Sequence, residues 1–234
     1  MTSPVPDAKH PVHPLVVAID GPAASGKSST ARWVASELGV HHVDSGSLYR
    51  AATAARLRRG GDASAWTQKD VLAAAADVTV APVETSFIPL IAGVVADPEE
   101  LRGAGVTAAV SLVAKMPDVR DWVNTKVREA AAATAIVVDG RDMGTAVFPE
   151  AQVKIFLVAD PWERAKRRLL ERLGRLPGPD EIAAETDALV HRDAIDDAQT
   201  QRAPDAVLID TTYLTQAEQV ERIVALARAA LRGA

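Results

Sequence analysis

Gly21-Pro22-Ala23-Ala24-Ser25-Gly26-Lys27-Ser28 decides the fold. The stretch fits G-x-x-x-x-G-K-[S/T] at every fixed position. Before it stands Leu15-Val16-Val17-Ala18-Ile19-Asp20, an apolar run that reads as a strand buried on both faces. After it, residues from Lys27 to Leu38 show helical spacing, and Gly39 supplies a stop signal. Small residues let successive backbone N–H groups curl around phosphate oxygens, and the helix start adds the positive end of a dipole. Lys27 then offers a cation to β- and γ-phosphates, and the Ser28 hydroxyl is a ligand for Mg²⁺. Gly21, Pro22, Ala23, Ala24, Ser25, Gly26, Lys27, Ser28 and the following Ser29 are therefore the expected ATP-binding residues. The competing reading is a tight strand–helix turn that merely contains glycine.

Outward from the loop, strands alternate with helices. A weak strand over Val40–Val43 precedes a helix from about Ser47 to Arg59, closed by Gly60-Gly61. Asp62 to Pro117 has another character. Thr67 with Asp70 caps a helix over Val71–Ala76, and Val78–Val80 and Ile88–Ile91 read as short strands. A helix over Pro117–Ala133 leads to a strand over Ala135–Val138, and Val153–Val158 is the next strand. Pro161, at a first helical position, opens a basic helix to about Leu173. The polar stretch Arg175–Pro204 reads as a mobile helical flap. Ala206–Ile209 is a last strand, and Thr215 with Glu218 forms a capping box before a helix ending near Leu231. This alternation predicts an α/β fold: a mostly parallel sheet with helices on both faces. The expected organisation is a flexible tail over 1–14, a core over 15–61 and 118–234 with a lid at about 174–205, and an inserted subdomain over 62–117.

Composition bounds the rest. The 234 residues are 48% hydrophobic, 24% charged and only 4% aromatic, so small aliphatic side chains must fill the core. A net charge of −5 argues against a broad nucleic-acid-binding face. There are no cysteines, which excludes disulfides and thiolate chemistry. No apolar run approaches the roughly 20 residues that span a bilayer. A cytoplasmic protein is the simplest expectation. Nothing in the sequence marks a dimer face, so a monomer is expected.

Three arginine-bearing segments stand at the ends of expected elements: Asp44-Ser45-Gly46-Ser47-Leu48-Tyr49-Arg50, Asp139-Gly140-Arg141-Asp142-Met143-Gly144-Thr145, and Arg192-Asp193 with Asp196-Asp197. In a parallel sheet the carboxyl ends of neighbouring strands face one crevice. Arg50 and Arg141 should then converge beside the phosphate loop, where a bound phosphate relieves their mutual repulsion and suits their forked geometry. Any one of these arginines alone reads equally as a surface ion pair. No Asn/Thr-Lys-x-Asp guanine signature is present.

Asp-Ser-Gly-x-x-Tyr-Arg, then Asp-Gly-Arg-Asp-Met-Gly-Thr-x-Val-Phe-Pro, then Val-Lys-Ile-Phe-Leu resembles the bacterial cytidylate kinase family, from about Val16 to Leu214. Leu101-Arg102 through Ser111, Pro117, Val119 and Arg120 resembles that family's inserted subdomain. The resemblance implies a P-loop kinase core with an inserted monophosphate-binding subdomain and a helical lid. It implies ATP-dependent phosphorylation of CMP or dCMP, with Mg²⁺, in pyrimidine nucleotide metabolism. It places Ser111, Arg120 and Asp142 on cytosine, Arg50 and Arg141 on the acceptor phosphate, and Ser45, Tyr49 and Gly140 in the same pocket. Arg192 and Asp196 match flap residues that reach phosphate and sugar, so Lys27, Arg141 and Arg192 are the expected catalytic residues. Asp139 occupies a position that holds Mg²⁺ together with Ser28; an ordinary turn aspartate before glycine is the alternative. Arg164 and Arg168, four apart, share a helix face that lines the ATP side or else is a solvated basic face.

The chain departs from the family at Gln199, where a further flap arginine is usual and for which Arg202 could substitute from one turn away. It also departs at Ala24, where glycine is commoner. The five histidines, His10, His13, His41, His42 and His191, lie in no motif and read as surface or structural. Within kinases, a relative acting on UMP or on a hydroxyl metabolite is the competing reading; outside them, a nucleotide-binding regulator without turnover.

Overall fold

The computed structural model describes residues 14–233. The tail expected over 1–14 lies outside them save for Pro14, as do His10 and His13. One eight-stranded sheet runs through the molecule. Its strands are β1 (Val16–Asp20), β2 (His41–Asp44), β3 (Val78–Val83), β4 (Ser86–Ile91), β5 (Val94–Val95), β6 (Ile136–Gly140), β7 (Val153–Val158) and β8 (Val207–Asp210), in the order β3-β4-β2-β6-β1-β7-β8 with β5 paired to β4. Pairing is parallel except at β3–β4 and β4–β5. The nine helices described are α1 (Lys27–Leu38), α2 (Ser45–Leu57), α3 (Gln68–Ala75), α4 (Pro98–Arg102), α5 (Ala104–Val113), α6 (Pro117–Ala133), α7 (Pro161–Leu173), α8 (Pro179–Asp196) and α9 (Gln216–Gly233).

The period of two along β1 builds both layers. Val16 and Ala18 join the apolar cluster of α2, α3, α5 and α6. Leu15, Val17 and Ile19 join Ala31, Val34, Ile223 and Val224 of α1 and α9 on the opposite face. A small third cluster, Ala23, Ala165, Leu169, Ile182 and Leu189, packs the phosphate loop on α7 and α8.

Several expected elements agree with the structure to the residue: α1, α6, β7 and α7. The stretch 62–117 is built on the core sheet itself. Its strand β4 pairs in parallel with β2, His42 opposite Ser86 and Val43 opposite Phe87, and extends the sheet's edge. Two helices there, α4 and α5, were not expected, nor was the π-type turn over Met143–Val147.

The order of strands places the site. From β1 the chain turns to β2 on one side, and from β6 it crosses to β7 on the other, which opens a crevice at the carboxyl end of β1. Register brings Ile19 and Asp44 level with Asp139, and Asp20 level with Gly140. The phosphate loop and the two motifs that follow β2 and β6 therefore start at the same place.

Candidate active site

A cleft of about 1150 Å³ opens there. Gly21 leaves β1 at φ 151°, pressed against β7 so closely that a Cβ would lie 2.3 Å from the Leu157 carbonyl oxygen. Gly26 is left-handed at the start of α1, and Ala24 takes φ 57° without being glycine. Ala23, Ala24, Gly26, Lys27, Ser28 and Ser29 line the cleft, whereas Gly21, Pro22 and Ser25 form its backing.

Lys27 is buried and donates to the Pro22 carbonyl oxygen at 3.0 Å. Burial, and then the charge of Arg141, push its ammonium down to about 7. An anion beside it would restore the charged form, which is the state a phosphate site requires.

Next to Lys27 the Ser28 hydroxyl donates to Asp139 Oδ2 at 2.5 Å, and His42 Nε2 meets Asp139 Oδ1 at 2.7 Å. Burial would raise the Asp139 carboxyl, but the hydrogen bond and charge of His42, with Lys27 and Ser28, outweigh it and hold the group below its ordinary value. Neighbouring Asp44 goes the other way, raised by burial first and by the charge of Asp139 second. Asp139 is thus the carboxylate kept ionised. One of its oxygens is anchored and the other faces Ser28 beside the cleft. Two hard oxygen donors in this arrangement fit a Mg²⁺ ion that keeps most of its shell for water and phosphate. Among the described residues no cluster of three or more acidic or histidine side chains could hold a metal.

Ser45, Tyr49, Arg50, Ser111, Arg120, Gly140, Arg141, Asp142, Arg192 and Asp196 all line the same cleft. Gly140 is required by contact: a Cβ would sit 2.6 Å from Ser45 Oγ and 2.7 Å from Met143 Cγ. Ser45 Oγ donates to the Asp139 carbonyl oxygen at 2.8 Å. Arg50 donates to the Leu101 carbonyl oxygen at 2.9 Å, and burial followed by nearby Arg192 brings its guanidinium down to about 10. Arg141 and Arg192 share one weak partner, Asp196, at 3.6 and 3.8 Å, and the Nε of each has no hydrogen bond. Arg120 pairs with Asp142 and also donates to the Ala114 carbonyl oxygen at 3.0 Å. Burial raises Asp142 in spite of that pairing. Tyr49, whose hydroxyl is buried without a partner, is pushed up to about 12 by burial.

Two residues expected together are separated. Arg168 lines the cleft and pairs with Glu185. Arg164 does not line it: only 4% exposed, it lies beneath the phosphate loop, bonding the Ala23 carbonyl oxygen at 2.8 Å and Asp193 Oδ2 at 2.7 Å. Standing in the first turn of α7, directly after β7, it supports the loop's backbone from below. Asp193 completes this clamp by accepting from the Ala23 N–H at 3.1 Å. Sequence reasoning gave Asp193 no role, although it stands beside Arg192 in a quoted motif. His42, read as surface or structural, proves structural, and its partner was not foreseen. Only the β2–β6 register, which sets it across from Val137 and one pleat from Asp139, reveals its contact.

Comparison with known proteins agrees with this geometry. A family model described as cytidylate kinase matches residues 17–229. A cytidylate kinase of Geobacillus thermodenitrificans is 40% identical over 218 residues, covering 90% of this chain and 95% of that protein. One of Thermus thermophilus is 42% identical over 219 residues, covering 90% and 97%. One of Geobacillus kaustophilus is 41% identical over 216 residues, covering 90% and 95%.

Proposed function

The chain belongs to the cytidylate kinase family, and from that premise we propose that it transfers the γ-phosphoryl group of ATP to CMP or dCMP. It is an ATP-dependent phosphotransferase. The observation that carries the acceptor assignment is the pair of under-partnered guanidinium groups, Arg141 and Arg192, lining one cleft together with Lys27. Half-buried cations that share one distant counter-charge are costly, and a second, monophosphorylated molecule satisfies them.

The bond between the γ-phosphorus and the β-bridging oxygen breaks as one forms to an oxygen of the CMP phosphate, and ADP leaves. That acceptor oxygen is already anionic at neutral pH, so the reaction needs positioning and charge neutralisation rather than a general base. Lys27 is placed to neutralise charge on the donor phosphates, Arg141 and Arg192 on the transferred group and the acceptor. Ser28 and Asp139 would hold a Mg²⁺ ion, which would supply positive charge to the phosphate oxygens. Asp142, fixed by Arg120, offers an acceptor to the exocyclic amine of cytosine. Uracil has no such amine and would leave Asp142 Oδ1 without that donor, Oδ2 being held by Arg120, at a cost of about 1–3 kcal/mol. The same reading places the enzyme in the cytoplasm, the compartment of its ATP donor.

A panel of CMP, dCMP, UMP and AMP in a coupled ADP-release assay tests this. Turnover is expected with the two cytidylates and at least tenfold less with UMP. Equal or better use of UMP would overturn the cytosine assignment.

A further inference from the structure

We infer that Asp20 is a positioning residue for the acceptor: its carboxylate holds the turn that begins at Met143 and so sets the direction in which Arg141 and Asp142 enter the cleft. This rests on the reading of the cleft given above and deepens its acceptor side. Asp20 is the last residue of β1, immediately before the phosphate loop, and is 4% exposed. Its Oδ1 accepts from the Met143 N–H and its Oδ2 from the Gly144 N–H, each at 2.8 Å. Those amides open the helical turn and have no partner within it, so the carboxylate acts as their cap.

The turn needs such a hold. Asp142 precedes it at φ −143° and ψ 26°, outside the regular regions, while the Asp142 carbonyl oxygen accepts from the Ala146 N–H at 2.8 Å. The direction of Arg141 and Asp142 therefore depends on what anchors Met143 and Gly144, alongside the pairing of Asp142 with Arg120. Among the described residues no side chain bonds Asp20, and Lys27 is the cation whose charge acts on it. The stem of Lys154 passes Gly144, where a Cβ would meet its Cγ at 3.3 Å, but the ammonium is turned away to Asp205 and the Pro149 carbonyl oxygen.

The cradle has its own supports, independent of this carboxylate: the Gly21–Leu157 contact, Arg164 with Asp193, and the Lys27–Pro22 bond. Loosening Asp20 should therefore disturb the acceptor and spare the donor. A role in general stability would disturb both alike.

Asp20→Asn keeps the size and one accepting oxygen but turns an amide NH₂ toward a backbone N–H. The expected result is a rise of about tenfold in the KM for CMP, the loss of one charge-assisted hydrogen bond, with the KM for ATP within twofold. Asp20→Glu, which keeps the charge on a longer arm, should fall between wild type and Asp20→Asn. Amide hydrogen exchange on the nucleotide-free wild type supplies a readout that needs no variant. The Met143 and Gly144 amides should be protected to the level of the β1 amides, and Asp20→Asn should speed their exchange at least tenfold.

Equal shifts in both KM values, an unchanged KM for CMP, or wild-type amides at 143 and 144 exchanging like those of an open turn would each overturn the inference. If CMP is not the acceptor, the acceptor panel reports that separately. The same KM comparison then uses the monophosphate that the panel selects, and the exchange measurement stands as it is.

Discussion

Replacing Arg141 by alanine should separate the needs of the substrate from the needs of the fold. In the nucleotide-free protein this guanidinium has little to lose. Among the described residues its one ion-pair partner, Asp196, is 3.6 Å away and shared with Arg192, and its Nε has no hydrogen bond. Its charge also works against its neighbours, being second only to burial in lowering the pKa of both Lys27 and Arg192. Alanine removes a weak bond and a repulsion together, so stability should change by less than about 1 kcal/mol. For a chain of this length that is a Tm shift within about 4 °C in either direction. Catalysis should respond differently. Two charge-assisted hydrogen bonds to a phosphate, at about 1.5 kcal/mol each, amount to roughly a hundredfold in kcat/KM for CMP. ATP affinity measured without CMP should stay within a few-fold. ADP release at varied CMP, together with a thermal melt, gives both quantities. A kcat/KM within threefold of wild type would refute the acceptor-site reasoning, and a Tm lower by more than about 8 °C would refute the account of Arg141 as a poorly paired charge.

Lys27 makes a pH-dependent prediction. Its ammonium titrates near 7 in the folded protein against an ordinary value of 10.5, so between those values the unfolded chain binds the extra proton. Stability from this group accordingly rises with pH from about 7 toward 10.5 and is lost as pH falls through 7. Melting curves of wild type and Lys27→Met without nucleotide should diverge from pH 7 to 9, wild type gaining; parallel curves would refute the shift. In Gly21→Ala the new Cβ would lie 2.3 Å from the Leu157 carbonyl oxygen, a main-chain atom of β7 that cannot step aside. A Tm loss beyond about 6 °C with at least tenfold weaker ATP binding is expected, and a variant with wild-type melting and binding would contradict the close packing described.

What could be read from the sequence was local, and what could not depended on register. The phosphate loop, its strand and its helix are contiguous, so the motif and its context appear together. Helices α6 and α7 begin at Pro117 and Pro161, and α1 stops at left-handed Gly39, signals carried by single residues. Helix α5 gave no such signal: Ala-Gly-Val-Thr-Ala-Ala-Val-Ser-Leu-Val follows a glycine N-cap with no side-chain bond. His42 meets Asp139 across 97 positions of chain, and β4 finds β2 across more than forty residues, contacts that no local pattern encodes. The second of these bears on how the cleft works. The β3–β5 wall is joined to the core by main-chain hydrogen bonds of a shared sheet, and Arg50 ties α2 to Leu101 in the same region. Helix α8 is attached instead through its packing on α7 and through side-chain pairs: Arg168 and Arg172 with Glu185, Arg164 with Asp193, and Arg141 with Asp196. The partly exposed pairs of Glu185 and Asp196 are worth about 1 kcal/mol or less apiece, the buried Arg164–Asp193 pair is the firm one, and in the proposed reaction a phosphate in the cleft competes directly for Arg141 and Arg192. On the proposed function, the element whose attachment substrate can rewrite is therefore α8, while the β3–β5 wall stays bound to the sheet.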